Sequence, residues 1–241
     1  MNTPHTVKAF DQDLGALAES IRAMGELAGT QFSAAVRSLL HSDLSLANRA
    51  IHDDDRLDAL RREISAAAAV VIARRQPVAM DLEEVLAFMR TAADLERIGD
   101  LAKNIAKRST AVISTHFPPD IVARLEQLAG LVSKQLEAAL RAFVTRDAEL
   151  ALIARRQDEM IDELHTTMFQ DLVARLGLDP ARAVEFVHLL FCAKNIERIG
   201  DHATHVAEAS YLIATGHRPE QERRRFDDSS TVTVGGPTPE A

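Results

Sequence analysis

A segment that occurs twice constrains this chain more than any other feature of its sequence. The residues ERIGD at 96–100 recur at 197–201, with further matches on both sides of the two copies. Upstream of each copy lies a pair of aspartates four residues apart, at 54 and 58 and again at 158 and 162. Because five consecutive identities rarely arise by chance, the sequence predicts two copies of one structural unit.

The composition and periodicity both indicate helices. Apolar residues recur at intervals of three and four from about residue 7 to residue 214, and Ala, Leu, Glu and Arg dominate while Trp is absent. Breaks at Ser, Asp, Gly and Pro divide this pattern into long segments. Six helices are predicted, at about 5–40, 43–74, 78–115, 119–145, 147–176 and 180–215.

Long helices joined by short connections pack antiparallel as bundles. We therefore predict an all-α fold of two tandem three-helix bundles, at 1–116 and 117–216, related by internal duplication. Residues 217–241 are polar and turn-forming with no periodic apolar face, and we predict that this tail is disordered.

Charge and hydropathy exclude several classes of protein. A net charge of −8 argues against nucleic-acid binding, which usually needs a basic face. No leader-like start and no run of about 18 apolar residues is visible, so a cytoplasmic protein without a membrane span is expected. The single Cys192 excludes an internal disulfide and lies in an apolar stretch typical of a core position.

Carboxylates stand where the helical pattern predicts apolar side chains. Glu96 and Asp100 continue the apolar stripe of the third helix, and Glu197 and Asp201 continue that of the sixth. Like charges four residues apart repel, and burial costs several kcal/mol per ion unless a cation neutralises them. The predicted metal ligands are the carboxylates of the four pairs: Asp54, Asp58, Glu96, Asp100, Asp158, Asp162, Glu197 and Asp201.

Several alternatives stay open at these positions. An all-oxygen set suits hard cations such as magnesium, calcium, manganese or iron, and bridging carboxylates allow a multinuclear cluster. Arginines offer a metal-free alternative: Arg97 and Arg198 lie between the acids, and Arg61, Arg62, Arg155 and Arg156 lie on the second and fifth helices. Asp55 is an alternative to Asp54. Gly99 and Gly200 indicate either close helix packing or room beside a cluster.

Three histidines lie near the second set of acids. His205 follows Asp201 by four residues, where the first copy has Asn104, and could join the second cluster. His202 is off that face and is interpreted as a surface residue. Asp162 and His165 have the spacing of a di-iron Glu-x-x-His motif, but the motif occurs once and with Asp, so His165 is set aside.

The motifs resemble those of the PhoU family of phosphate-uptake regulators. The resemblance rests on KAFDQDL at 8–14, RRQP at 74–77, DLERIGD at 94–100 and FCAKNIERIGDHA at 191–203, and it extends over roughly residues 5–215. It implies two three-helix bundles side by side, and acidic motifs that hold multinuclear iron, zinc or magnesium. His205 departs from the family, which often has Asn there.

The resemblance also implies a function and partners. Family members are soluble homodimers thought to link a phosphate ABC transporter, through its ATPase, to a membrane sensor histidine kinase, and to repress the phosphate-starvation response. No nucleophile–base pair or phosphate-cradling glycine loop is apparent, so a regulator rather than an enzyme is predicted. The alternatives are a carboxylate-bridged metal-dependent enzyme and a metal-free structural bundle.

Overall fold

The computed structural model describes residues 4–220 together with Asp227 and Ser229, and side chains from Lys8 onward. These residues form only helices and connections, so the all-α prediction is confirmed. The six predicted helices are all present, and a 3-10 turn, Pro180–Arg182, precedes the last. They are α1 (Pro4–His41), α2 (Leu44–Arg75), α3 (Met80–Ala111), α4 (Pro119–Thr145), α5 (Ala148–Leu178) and α6 (Ala183–Thr215).

The helix ends differ from the predicted ones at two places. α3 ends at Ala111 rather than at 115, and α6 begins at Ala183 because Pro180 opens a separate 3-10 turn. Most of the tail predicted to be disordered, namely 221–226, 228 and 230–241, lies outside the described residues. No helix in the described part of the chain is both long enough and apolar enough to cross a membrane.

The connections between α1 and α2 and between α4 and α5 are built alike. Ser42 and Arg146 have positive φ angles of 54° and 53°, which turn the chain sharply after the preceding helix. The next residues, Asp43 and Asp147, each accept a hydrogen bond from the backbone N–H three residues later at 3.0 Å. These N-caps satisfy amide groups that the first turn of a helix leaves unpaired. The duplication therefore extends to the turns.

Helices α1, α2 and α3 pack against one another, as do α4, α5 and α6. The two bundles are joined where α3 packs on α6 and α1 packs on α4. The rings of Phe88 on α3 and Phe143 on α4 meet edge to face with centroids 5.2 Å apart, and both are buried. Apolar contact is thus continuous between the two bundles.

Gly99 permits close packing inside the first bundle. A Cβ atom at this position would lie 2.4 Å from Leu57 Cδ1 and 2.9 Å from Gln31 Oε1, both closer than van der Waals contact. Gln31 is held in place because its amide donates to the carbonyl oxygen of Ala50 at 2.7 Å. Of the two explanations offered by the sequence, the structure supports close packing.

Gly200 has equivalent neighbours but more space. A Cβ atom there would lie 3.2 Å from Gln135 Oε1 and 3.4 Å from Ile161, which are the second-bundle counterparts of Gln31 and Leu57. Contacts of that length need only small adjustments. The duplicated glycines therefore differ in how strictly the packing requires them.

We expect Gly99→Ala to destabilise the protein by about 1–2 kcal/mol, because overpacking against Leu57 exceeds the gain in helix propensity. Gly200→Ala should change stability by less than about 0.5 kcal/mol, since the two effects nearly cancel. Urea unfolding followed by circular dichroism measures both.

Gly130 on α4 provides the matched control, because no described atom lies within 4 Å of a Cβ placed there. Gly130→Ala should stabilise by about 0.5–1 kcal/mol. Equal effects at Gly99 and Gly130 would contradict the packing argument.

Candidate metal centre

Four of the predicted carboxylates converge in the first bundle. Asp54 and Asp58 on α2 face Glu96 and Asp100 on α3, and we call these four the first acidic cluster. Burial raises the pKa of Glu96, and the negative charges of Asp100 and Asp58 raise it further. Because Asp58 on α2 acts on the pKa of Glu96 on α3, acids of the two helices lie close together.

The most buried acid of the first cluster has a protein cation as its partner. Asp54 is only 4% exposed, and its Oδ2 accepts a hydrogen bond from Lys103 Nζ. The hydrogen bond to Asp54 raises the pKa of Lys103, and the charges of Asp54, Asp100 and Asp55 contribute in the same direction. Lys103 thus keeps its charge and neutralises part of the cluster. Asp55 is exposed, so Asp54 is the inward member of this pair.

Arginines supply further positive charge to the first acidic cluster. A guanidinium nitrogen of Arg97 lies 3.0 Å from Asp100 Oδ2, and its Nε lies 3.8 Å from Glu96 Oε2. Arg61 on α2 is close enough for its charge to lower the pKa of Glu96. The neutralisation by arginine that the sequence allowed therefore operates here.

The second bundle holds the other four carboxylates, which we call the second acidic cluster. Asp158, Asp162 and Glu197 are 3%, 2% and 4% exposed, whereas Asp201 is partly exposed. The negative charge of Asp201 raises the pKa of Glu197, which also lies on α6. Asp158 and Asp162 lie on the face of α5 that includes Ile161, which packs beside Gly200 of α6. This cluster is buried more deeply than the first.

The second cluster lacks counterparts of two cations found in the first. Thr204 occupies the position equivalent to Lys103, and its hydroxyl donates to Asp158 Oδ1 at 3.0 Å. His165 occupies the position equivalent to Arg61. Among the described residues, Arg198, the counterpart of Arg97, is not in an ion pair. Neutral groups thus replace cations around these acids.

His165, which the sequence analysis set aside, lies in the second cluster. It is fully buried, and its Nδ1 is 3.3 Å from Asp227 Oδ1. Ligand atoms of His165, Glu197 and Asp227 all lie within 4.8 Å of one another. Burial lowers the pKa of His165, so the ring is neutral at pH 7 and available as a metal ligand. Its position three residues after Asp162 was the sequence signal.

One lysine partly compensates the second cluster. Lys194 Nζ lies 2.8 Å from Glu197 Oε2 and 2.6 Å from Asp227 Oδ2. Asp227 belongs to the tail, and no periodic pattern in the sequence indicated that it would reach this cluster. Lys194 therefore shares one positive charge between two carboxylates.

Burial raises the pKa of Glu197 to about 7; the charge of Asp201 adds to this effect and Lys194 opposes it. A buried carboxylate with so high a pKa holds either a proton or a cation near neutral pH. The donor set of carboxylate oxygens with one neutral imidazole fits manganese, iron or zinc. The second cluster therefore fits a divalent ion better than the first, which already contains Lys103.

The remaining two histidines lie where the bundles meet. His202 is not a surface residue, because its side chain is only 19% exposed. His202 and His205 both contact Asp94 of α3, in the other bundle, through their Nδ1 atoms.

Comparison with known proteins identifies the repeated unit. The model of the PhoU domain matches residues 21–109 and again residues 125–210. The phosphate-specific transport system accessory protein PhoU homolog of Rhizobium meliloti (strain 1021) is 46% identical over 96% of this chain and 98% of its own length.

Two crystal structures share the fold. PhoU from Pseudomonas aeruginosa superposes with a TM-score of 0.83 at 31% identity, over 86% of this chain and 100% of that one. The phosphate transport system regulatory protein PhoU from Streptococcus pneumoniae superposes with a TM-score of 0.80 at 25% identity, over 88% and 100%.

The ionisation of Glu197 predicts a pH dependence of stability in metal-free protein. Its pKa in the folded state, about 7, is above its ordinary 4.5. Its stabilising contribution is therefore complete below pH 4.5 and is lost as the pH rises through about 7. The free energy of unfolding should fall by about 2 kcal/mol between pH 5 and pH 8 from this group.

Glu197→Gln removes the titrating group and keeps the side-chain shape. The difference in unfolding free energy between the variant and the wild type should grow in favour of the variant as the pH rises. Urea titrations in EDTA at several pH values measure this difference. Parallel pH profiles for the two proteins would show that Glu197 ionises normally.

Proposed function

This chain belongs to the PhoU family, and we propose that it represses phosphate uptake and the phosphate-starvation response. In this proposal it is a cytoplasmic homodimer that connects the ATPase of a phosphate ABC transporter with a membrane sensor histidine kinase. Its relatives are named as accessory or regulatory proteins of phosphate transport, not as enzymes. The observation that carries the proposal is the match to such a protein over nearly its whole length.

The shape and chemistry of the chain suit an adaptor. Inside the bundles, Lys103 and Thr204 donate hydrogen bonds to the carboxylates of Asp54 and Asp158. The long helices leave extended outer faces for partners. The negative charge of the chain favours protein partners over nucleic acid.

The proposal includes a metal ion in the second acidic cluster. Asp158, Asp162, Glu197 and Asp201 would hold it, with His165 as an additional ligand. The ion would be iron, manganese, zinc or magnesium. It would neutralise the carboxylates where α5 packs against α6. The high pKa of Glu197 supports this, because a bound cation would stabilise its ionised form.

The first acidic cluster could exist in a metal-free state or in a metal-bound state. Asp54, Asp58, Glu96 and Asp100 would bind a second ion only if Lys103 moves away from Asp54. The contacts of Lys103 and Arg97 favour the metal-free state of this bundle. We therefore expect unequal metal affinity in the two halves of the chain.

We expect Glu197→Gln with Asp201→Asn to lower the metal-to-protein ratio of purified protein more than the equivalent pair Glu96→Gln with Asp100→Asn. The reason is that Lys103 and Arg97 already compensate the first cluster. Elemental analysis after growth in defined metal medium measures the ratio, and circular dichroism verifies folding. An unchanged ratio in both double variants would remove metal binding from the proposal.

Deletion of the gene should cause expression of phosphate-starvation genes in phosphate-rich medium. The wild-type gene should restore repression, and a reporter fused to a starvation promoter measures it. Normal repression in the deletion strain would refute the regulatory function, whatever the metal content of the protein.

A further inference from the structure

A third group of potential ligands lies away from both acidic clusters, where α3 of the first bundle packs on α6 of the second. Asp94 Oδ1 is 2.8 Å from His202 Nδ1 and 3.2 Å from His205 Nδ1. One ligand atom from each of the three residues lies within 4.8 Å of the other two. The group thus combines two imidazoles with one carboxylate, and it draws on both bundles.

The duplication did not generate this group. The repeat counterpart of Asp94 is Asn195, and the counterparts of His202 and His205 are Leu101 and Asn104. The carboxylate and both imidazoles therefore occur on one side of the pseudo-symmetric interface, and the equivalent positions on the other side have neither group. Packing of the repeated helices needs no histidine or aspartate here.

The three side chains already have an arrangement close to that of ligands around one ion. The rings of His202 and His205 are nearly perpendicular, with centroids 5.6 Å apart, so both Nδ1 atoms face the same carboxylate.

The group borders open space. A cleft of about 640 Å³ runs beside it, lined by Asp94 and His205 and by Arg90 and Arg155. An ion could enter from solvent through this cleft, and a ligand other than protein could complete its coordination.

We propose that Asp94, His202 and His205 bind one divalent transition-metal ion of the zinc class and so connect the two bundles. In a tetrahedral zinc site with bonds of about 2.0–2.1 Å, ligand atoms lie about 3.3 Å apart. The distances of 2.8 and 3.2 Å therefore need only small side-chain movements. Each neutral ring would carry its proton on Nε2, which leaves the Nδ1 lone pair for the ion. Two imidazoles and a carboxylate leave a fourth position open toward the cleft.

This site has two imidazoles and one carboxylate, whereas the second acidic cluster has one imidazole beside several carboxylates and the first has none. Imidazole nitrogens favour zinc, cobalt, nickel and copper, whereas carboxylate oxygens favour magnesium and manganese. Binding here is independent of the acidic clusters and of the regulatory function proposed above.

Cobalt titration of the full-length protein tests the proposal. After removal of metals with EDTA and buffer exchange, Co²⁺ should produce the visible absorption of a four-coordinate nitrogen-ligated site, and Zn²⁺ should displace it at one equivalent. His205→Asn, which introduces the residue of the first unit, should weaken this binding about 100-fold or more, because even loss of an outer-shell partner costs up to that amount. His202→Asn should do the same.

Two controls separate this site from other metal binding. His52→Asn changes an exposed histidine on α2 and should leave the cobalt spectrum unchanged. Glu197→Gln with Asp201→Asn disables the second acidic cluster and should preserve it as well. A spectrum lost only in the carboxylate variant would overturn the proposal.

The result stays decisive if one variant folds poorly. His205 is 45% exposed in its side chain, so His205→Asn should retain the helical circular dichroism of the wild type. An unchanged cobalt affinity in folded His205→Asn and His202→Asn would refute the site. Absence of any four-coordinate cobalt signal in the folded wild type would refute it too.

Discussion

Charge compensation inside two helix pairs is the constraint on which this structure depends. Asp54, Asp158, Asp162 and Glu197 are at most 4% exposed, although each could carry a full negative charge. Isolated carboxylates in such positions would cost several kcal/mol each, so every one must have a hydrogen bond, a cation or a proton. The helices around these acids are therefore selected for electrostatics as well as for apolar packing.

The two halves meet this requirement differently. In the first bundle Lys103 and Arg97 provide positive charge from the protein itself, and the cluster is nearly self-sufficient. In the second bundle Thr204 and His165 stand in the corresponding places, and Lys194 contacts Glu197. The carboxylates are thus the same in the two repeats, whereas several of the side chains around them differ in charge.

Much of the fold followed from patterns that the chain repeats. Six helices and the pairing of acids across neighbouring helices are consequences of a 3.6-residue period and a duplicated motif, both visible in the sequence. His165 was set aside as a ligand because its motif with Asp162 occurs once and with Asp in place of Glu. Asp227 was not identified because the tail has no periodic pattern. The contact of His202 and His205 with Asp94 depends on how the bundles dock, which spacing within one helix does not encode.

The edge-to-face pair of Phe88 and Phe143 gives the duplicated architecture a further property. Each half contributes one of these two buried rings, so part of the apolar core of each bundle is covered by the other bundle. Either half expressed alone would expose this surface to water and would tend to self-associate through it. The present chain therefore resembles a covalently fused dimer, in which the interface of an ancestral pair has become part of a single interior.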